Sequence, residues 1–280
     1  VSSLLALPDG RHLDMRARAL VMGIVNVTPD SFSDGGDFLS HSNAISHGLR
    51  LVEEGADIID IGGESTRPTH TPVDAADEKA RVLPVIAALA QQTSVPISID
   101  TMKADVAEAA LDQGALLVND VWGLQRDTRM APLIAERNVP IIIMHNRVQE
   151  DPSLDIVCDV LDFLSRSLDI AFAAGVRHEQ IIIDPGFGFA KTHAQSLRLL
   201  RELHRLTILG CPILLGVSRK RAIGFATGQT DPKQRMIGSV AAAVLGVQAG
   251  ASIVRVHDVA PHVEAMRLCA SLLSDGGSAP

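Results

Sequence analysis

The stretch Pro96–Asp120, PISIDTMKADVAEAALDQGALLVND, decides how the whole chain is read. A short apolar run, Pro96–Ile99, ends in Asp100, and a segment with helical spacing of its apolar residues, Lys103–Gln113, follows. Gly114 stands where a left-handed helix cap is wanted, and a second apolar run, Leu116–Val118, ends in Asn119 and Asp120. Strand, helix, glycine stop and strand in so short a span make one β–α–β unit.

Working outward, the same unit recurs. Apolar runs rich in β-branched residues occur at Leu20–Val25, Asp57–Ile61, Pro96–Ile99, Leu116–Val118, Pro140–Met144, Ile181–Ile183, Pro212–Val217 and Ile253–Val256. Several are apolar throughout, as strands covered on both faces of a parallel sheet are. Helical patterns such as Ala44–Glu54, Asp74–Gln91, Asp159–Ala174 and Arg235–Gln248 lie between them, and Gly55, Gly175 and Gly250 repeat the Gly114 stop. Eight strand-then-helix units point to a single closed (β/α)8 TIM barrel, class α/β, more than to an open doubly wound sheet. The expected division is an N-terminal hairpin segment over residues 1–17, centred on Pro8-Asp9-Gly10 and covering the barrel's far end, a barrel over 18–273, and a flexible tail over 274–280.

Composition narrows the function. At 280 residues and 46% hydrophobic content, one large barrel or two ordinary domains could bury a core, so length does not choose between them. A formal charge of −8 lacks the basic footprint that nucleic acids need, and 3% aromatic residues with no tyrosine leave few stacking platforms, so no nucleic-acid partner is expected. No apolar run approaches the roughly 20 residues of a membrane helix, so no membrane partner is expected either. The opening VSSLLALPDGRHLD lacks the basic start and apolar centre of a secretory signal, and the expected location is the cytoplasm. Cys158, Cys211 and Cys269 are far apart and form no CxxC pair, against a zinc knuckle, redox motif or disulfide framework.

In a TIM barrel the site gathers at the C-terminal ends of the strands. The runs end at Asn26, Gly62-Gly63-Glu64, Asp100, Asn119-Asp120, Met144-His145, Asp184, Ser218-Arg219-Lys220 and His257-Asp258. Any one of these could be a helix cap or a solvated loop residue, but that bland reading explains the whole set less well. Asp100, Asn119 and Asp184 suit a small polar heterocycle with several N–H donors. Arg67, Lys220, Arg255 and His257 offer cations to an anionic group. The long polar loop TPDSFSDGG after the first strand and GGESTRPTHTP after the second are read as lids, with Asp34 and Arg67 able to pair across them.

Other motifs fail. Gly186-Phe187-Gly188 lacks the third glycine of a dinucleotide fingerprint, and Gly216–Lys220 resembles a nucleophile elbow but has Lys220 at the second glycine, so Ser218 is not expected to be a nucleophile. A metal-dependent hydrolase built on His145, Asp184 and His257 competes, although the first strand ends without histidine. Asn26 suits a hard cation such as Mg2+ shared with a diphosphate.

The chain resembles the dihydropteroate synthase family in NVTPDSFSDGG from Asn26, IDIGGESTRP from Ile59, SIDTMKADVA from Ser98, NDVWG from Asn119, DPGFGFAKT from Asp184, GVSRKRAIG from Gly216 and VRVHDV from Val254. The resemblance implies a (β/α)8 fold, a homodimer, Mg2+ dependence, and competition by sulfonamides for the p-aminobenzoate position. It implies that Asp100, Asn119, Asp184 and Lys220 hold the pterin, with Met144 and Val121 as apolar walls and Thr66 and Val256 nearby. Arg255 and His257 would hold the diphosphate, with Asn26 the Mg2+ ligand. Thr66, Arg67, Pro68, Phe189 and Lys220 would shape the p-aminobenzoate position, and Ser31, Phe32 and Asp34 would belong to a mobile first loop. Asp184, Lys220, Arg255, His257, Asp34 and Arg67 are the residues expected to act in catalysis.

The chain departs from the family pattern in NRVQEDPSLDIV after His145, at Ser196 and at Thr69-His70, none of which touches that set. A pterin-binding methyltransferase barrel, or a silent pterin-binding relative, remains an alternative that pyrophosphate release separates. Replacing Arg255 by Ala is expected to impair diphosphate binding and catalysis far more than thermal stability. The helix Arg235–Gln248, apolar almost all round apart from Ser239 and Gln248, is the candidate dimer face.

Overall fold

Within the apolar runs, alternate residues belong to two different cores. Leu20, Met22, Ile58, Leu117, Ile142, Ile182, Leu214 and Ile253 pack together inside the sheet. Their neighbours Val21, Ile59, Val118, Ile141, Ile143, Ile181, Ile183, Ile213 and Val254 pack outward against helical residues such as Leu51, Ile86, Leu89, Ile134, Leu164 and Met266. A strand turns successive side chains to opposite faces, so a run that is apolar at every position can only close into a sheet buried on both sides.

The computed structural model describes residues 4–27, 36–64 and 72–273. In chain order its elements are β1 (Leu4–Ala6), β2 (His12–Asp14), β3 (Leu20–Asn26), α1 (Gly36–Glu53), β4 (Ile58–Gly62), α2 (Ala75–Gln92), β5 (Ile97–Asp100), α3 (Ala104–Asp112), β6 (Leu117–Asp120), α4 (Met130–Arg137), β7 (Ile141–Met144), α5 (Ile156–Ala173), β8 (Ile181–Asp184), α6 (His193–Arg201), β9 (Ile213–Leu215), α7 (Arg221–Thr227), α8 (Met236–Gln248), β10 (Ala251–Val256) and α9 (Val259–Leu273). Strands β3 to β10 pair in parallel, each with the next, and β10 closes on β3. All eight expected runs are barrel strands, in the expected order.

Several strands run further than their apolar residues. Asn26, Gly62, Asp100, Asp120 and Asp184 are the last residues of their strands, and the ladder continues beyond them through Val27 N–H to Gly62 O, Thr101 N–H to Asn119 O and His145 N–H to Asp184 O. Backbone pairing therefore fixes the polar rim. Helix α5 begins before the expected Asp159, because Asp155 caps it by accepting from the N–H groups of Val157 and Cys158 at 3.1 and 3.2 Å. Gly55, Gly114, Gly175 and Gly250 all have positive φ, as their place after a helix requires.

The hairpin is present, with β1 antiparallel to β2. Leu5, Leu7 and Leu13 join the inner cluster against Leu20, Ile58 and Leu117 from the beginnings of the strands. The hairpin is thus a stopper at the N-terminal end of the barrel, and each fully buried leucine in it contributes about 1.5–3 kcal/mol. No helix among the described residues is long and apolar enough to cross a membrane.

Candidate active site

Climbing the inner face from the apolar layer, the next residues of the same parity are polar: Asp60 and Asp100, Asn119, Asp184 and Arg255. Register puts Asp100 beside Asn119 and Met144 beside Asp184 on adjacent strands. Asp60 is fully buried and accepts from Arg255 Nε at 2.6 Å and from Asn119 Nδ2 at 3.1 Å. Arg255 Nη2 donates to Asp100 at 2.7 Å. Burial pushes the Asp100 carboxyl up to about 7, against the pull of Arg255 and with the help of Asp60. Burial also opposes the Arg255 charge, but Asp60 and Asp100 outweigh it and its pKa is raised. Asp60 was passed over in the sequence because it lies inside an apolar run rather than at its end.

A second group faces this one across Gly216. A β-carbon placed on Gly216 would lie 3.9 Å from both Asp184 Oδ2 and Lys220 Nζ and 4.0 Å from Arg255 Cβ, so the Asp184 and Lys220 charges and the stem of Arg255 border the space a side chain would fill. Asp184 accepts from Gly186 N–H at 2.7 Å. Lys220 Nζ donates to Phe187 O at 2.5 Å and sits 4.2 Å from the centre of the Phe189 ring. Burial lowers the Lys220 pKa to about 8 against the opposing charge of Asp184, and burial raises that of Asp184 against Lys220. Arg219, just before Lys220, takes φ 58°, held by its ion pair with Asp258 and by its N–H donating to Ser239 Oγ at 2.9 Å.

The apolar residues differ in direction. Val121 and Met144 are buried yet belong to neither core, which leaves them as walls at the rim. Val256 has the opposite parity to Arg255 and packs into the outer core, so a contact with a ligand could come only from its backbone.

Asn26 and His257 line an open cavity of about 710 Å3 together with Asn43, Ser46, His47 and Arg50 of α1. The structure revises the electrostatics of His257. Burial, with Arg255 and Arg219 adding to it, lowers its pKa to about 3, so it is neutral at pH 7 and not a cation. Its backbone N–H donates to Ser218 Oγ at 3.1 Å and its Nδ1 lies 3.0 Å from the same oxygen. The hydroxyl accepts from the backbone and can donate its own hydrogen to Nδ1, an arrangement in which the ring proton lies on Nε2. Ser218 is a buried orienter of His257, consistent with its exclusion as a nucleophile.

His145 does not join this site. Its Nδ1 meets Lys191 Nζ at 2.7 Å and its Nε2 meets Asp159 at 2.9 Å, so both ring nitrogens are committed behind the rim and a metal centre on His145, Asp184 and His257 does not form. Thr66, Arg67, Pro68, Ser31, Phe32 and Asp34 lie outside the described residues, as does the expected pairing of Asp34 with Arg67.

A closed parallel barrel whose mouth intermingles carboxylates and an amide with lysine, arginine and a neutral histidine suits an enzyme class that takes a polar ring carrying an anionic arm. A model of the family described as pterin binding enzyme matches residues 22–257, and the dihydropteroate synthase of Bacillus subtilis strain 168 is 46% identical over 265 residues, covering 95% of this chain and 92% of the relative. The chain belongs to the pterin-binding enzymes and, among them, to the dihydropteroate synthase family. Two solved structures of the Xanthomonas albilineans dihydropteroate synthase are similar throughout. The one with 4-aminobenzoic acid has a TM-score of 0.94 at 46% identity, covering 99% of this chain and 100% of the other. The one with 7,8-dihydropteroate has a TM-score of 0.89 at 45% identity, covering 98% and 100%.

Proposed function

We propose the following division of labour for a chain that condenses (7,8-dihydropterin-6-yl)methyl diphosphate with p-aminobenzoate, giving 7,8-dihydropteroate and pyrophosphate. Asp100, Asn119, Asp184 and Lys220 hold the ring, because the inner face offers carboxylate and amide acceptors to its N–H edge, and Val121 and Met144 cover its faces. Arg255 gives Nε and Nη2 to Asp60 and Asp100, and Nη1 is the nitrogen it brings to the diphosphate. His257 adds the Nε2–H that Ser218 orients.

The C–O bond to the exocyclic methylene breaks, and the electron pair leaves with pyrophosphate. Donors fixed in advance around the growing negative charge supply the main stabilisation, and they need no reorganisation during the reaction. Asp184 faces the positive charge left on the pterin methylene. The arylamine nitrogen of p-aminobenzoate attacks that carbon and then loses a proton. No side-chain nucleophile is needed.

The amide oxygen of Asn26, a neutral hard donor at the edge of the same cavity as His257, fits a Mg2+ ion whose other ligands come from diphosphate and water. Bound there, the ion would neutralise diphosphate charge. Phe189, Lys220, Thr66, Arg67 and Pro68 shape the p-aminobenzoate position, at which sulfonamides compete. The chain works in the cytoplasm as a homodimer through α8 and α9, whose Ile237, Leu245, Leu268 and Leu272 are all more than half exposed.

One observation carries this reading: Asp184, Lys220 and Arg255 converge on Gly216. Incubation with both substrates tests it. Pyrophosphate and dihydropteroate should form in equal amounts, and pyrophosphate release without any dihydropteroate when both substrates are present would overturn it.

A further inference from the structure

Lys191 is one of the most deeply buried charged residues of the chain, 3% exposed, and none of the chemistry above uses it. Its Nζ has three acceptors: His145 Nδ1 at 2.7 Å, Gly186 O at 2.8 Å and Phe189 O at 3.1 Å. An ammonium has three N–H groups, so this environment saturates one, and since burial and the Lys220 charge lower the Lys191 pKa to about 7, the ammonium prevails below that pH. His145 must then be protonated on Nε2, where it donates to Asp159 at 2.9 Å, and Asp159 also pairs with Arg147 at 2.7 Å. Burial and the neighbouring Lys191 charge keep the ring neutral, with a pKa of about 3.

The two carbonyls that Lys191 grips bracket the Gly186–Phe189 turn, and the other side of that turn touches Lys220. Phe187 O accepts from Lys220 Nζ and the Phe189 ring lies beneath it. The turn has little room to relax, because Gly186 has φ 66° and a β-carbon there would fall 1.9 Å from His145 O. Each lysine also follows a non-glycine residue in the left-handed region, Ala190 at φ 41° and Arg219 at φ 58°, a backbone state that surrounding contacts must hold.

We infer that Lys191 is a positioning residue for Lys220: from behind the Gly186–Phe189 turn its ammonium fixes the carbonyl and the ring that seat the Lys220 amine at the mouth. The inference rests on the reading that Lys220 and Phe189 shape the p-aminobenzoate position.

The test compares the full-length protein with its Lys191→Met variant, which keeps side-chain length and removes the donors. Lysine side chains are labelled with 13C at Cε; the lysines of the chain are Lys79, Lys103, Lys191, Lys220 and Lys233, so the spectrum is simple to assign. The Lys220 signal should shift while those of Lys79, Lys103 and Lys233 stay in place. At pH 6.5 the KM for p-aminobenzoate should rise about tenfold, the effect of losing one charged hydrogen bond, with the KM for the pterin diphosphate within about threefold of wild type. A Lys220 signal identical to wild type overturns the positioning role. A shifted signal with unchanged p-aminobenzoate KM upholds the positioning and overturns the assignment of Lys220 and Phe189 to that substrate. If Lys191→Met does not fold, Lys191→Gln, whose amide still donates to the turn, is read by the same signals.

Discussion

Asp60 and Arg255, 195 residues apart in the chain, meet inside the barrel with Nε to Oδ2 at 2.6 Å. The pair joins the second barrel strand to the last, and through Asp100 and Asn119 it also ties in β5 and β6, the two strands that follow β4 in the barrel order. Arg255 is therefore part of the floor of the site as well as a ligand for an anion.

Arg255→Ala should consequently lower stability as well as activity. Removing one partner of a buried ion pair typically costs about 3–5 kcal/mol, because the other charge stays buried. Urea unfolding at pH 7 should show a loss of that order, and a midpoint equal to wild type would refute the structural role.

Asp60→Asn keeps an acceptor for Arg255 but removes the charge that fixes it. Pterin affinity in calorimetry should fall about tenfold, in line with the loss of a charged hydrogen bond. Wild-type affinity would show that Asp60 only fills space.

Asp100 gives stability a pH dependence of defined sign. Its folded pKa of about 7 lies above the ordinary 3.8, so its contribution is fully present below about pH 4 and lost as pH rises through 7. Against Asp100→Asn, which cannot titrate, the wild type should become relatively less stable from pH 4 to pH 7. A difference that is constant over this range would contradict the assignment.

Ser218→Ala removes the hydroxyl that assigns the His257 proton to Nε2. Turnover should drop about tenfold with little change in melting, and 15N shifts of His257 should report a mixture of ring tautomers. Shifts that still report only the Nε2–H form would place the control of the proton elsewhere.

Ile237→Asp combined with Leu245→Asp puts charge on the exposed apolar face of α8. Sedimentation at micromolar concentration should show a dimer for wild type and a monomer for the double variant. A monomeric wild type would remove this face as an interface.

Much of this was legible in the sequence, because barrel strands and their last residues follow one another in the chain. Asp100, Asn119, Asp184, Lys220 and Arg255 gather at one mouth as the order of the runs implied. What escaped depends on direction or on partners. Asp60 sits one layer below a strand end, where only inward parity reveals it. Val256 was placed near the pterin without a direction, and its outward parity leaves only its backbone facing the mouth. His257 was counted as a cation, since its type shows but its burial beside two arginines does not. Ser239 stood out only as a polar exception in an apolar helix, and its partners, Arg219 N–H and Arg235 O, emerge with the fold. The seven-residue helix α7 has too few turns for a strong periodic signal.

The packed apolar layer inside the barrel, extended downward by the leucines of the N-terminal hairpin, makes the barrel a cup. Everything that reaches the acidic floor must come and go through a single doorway.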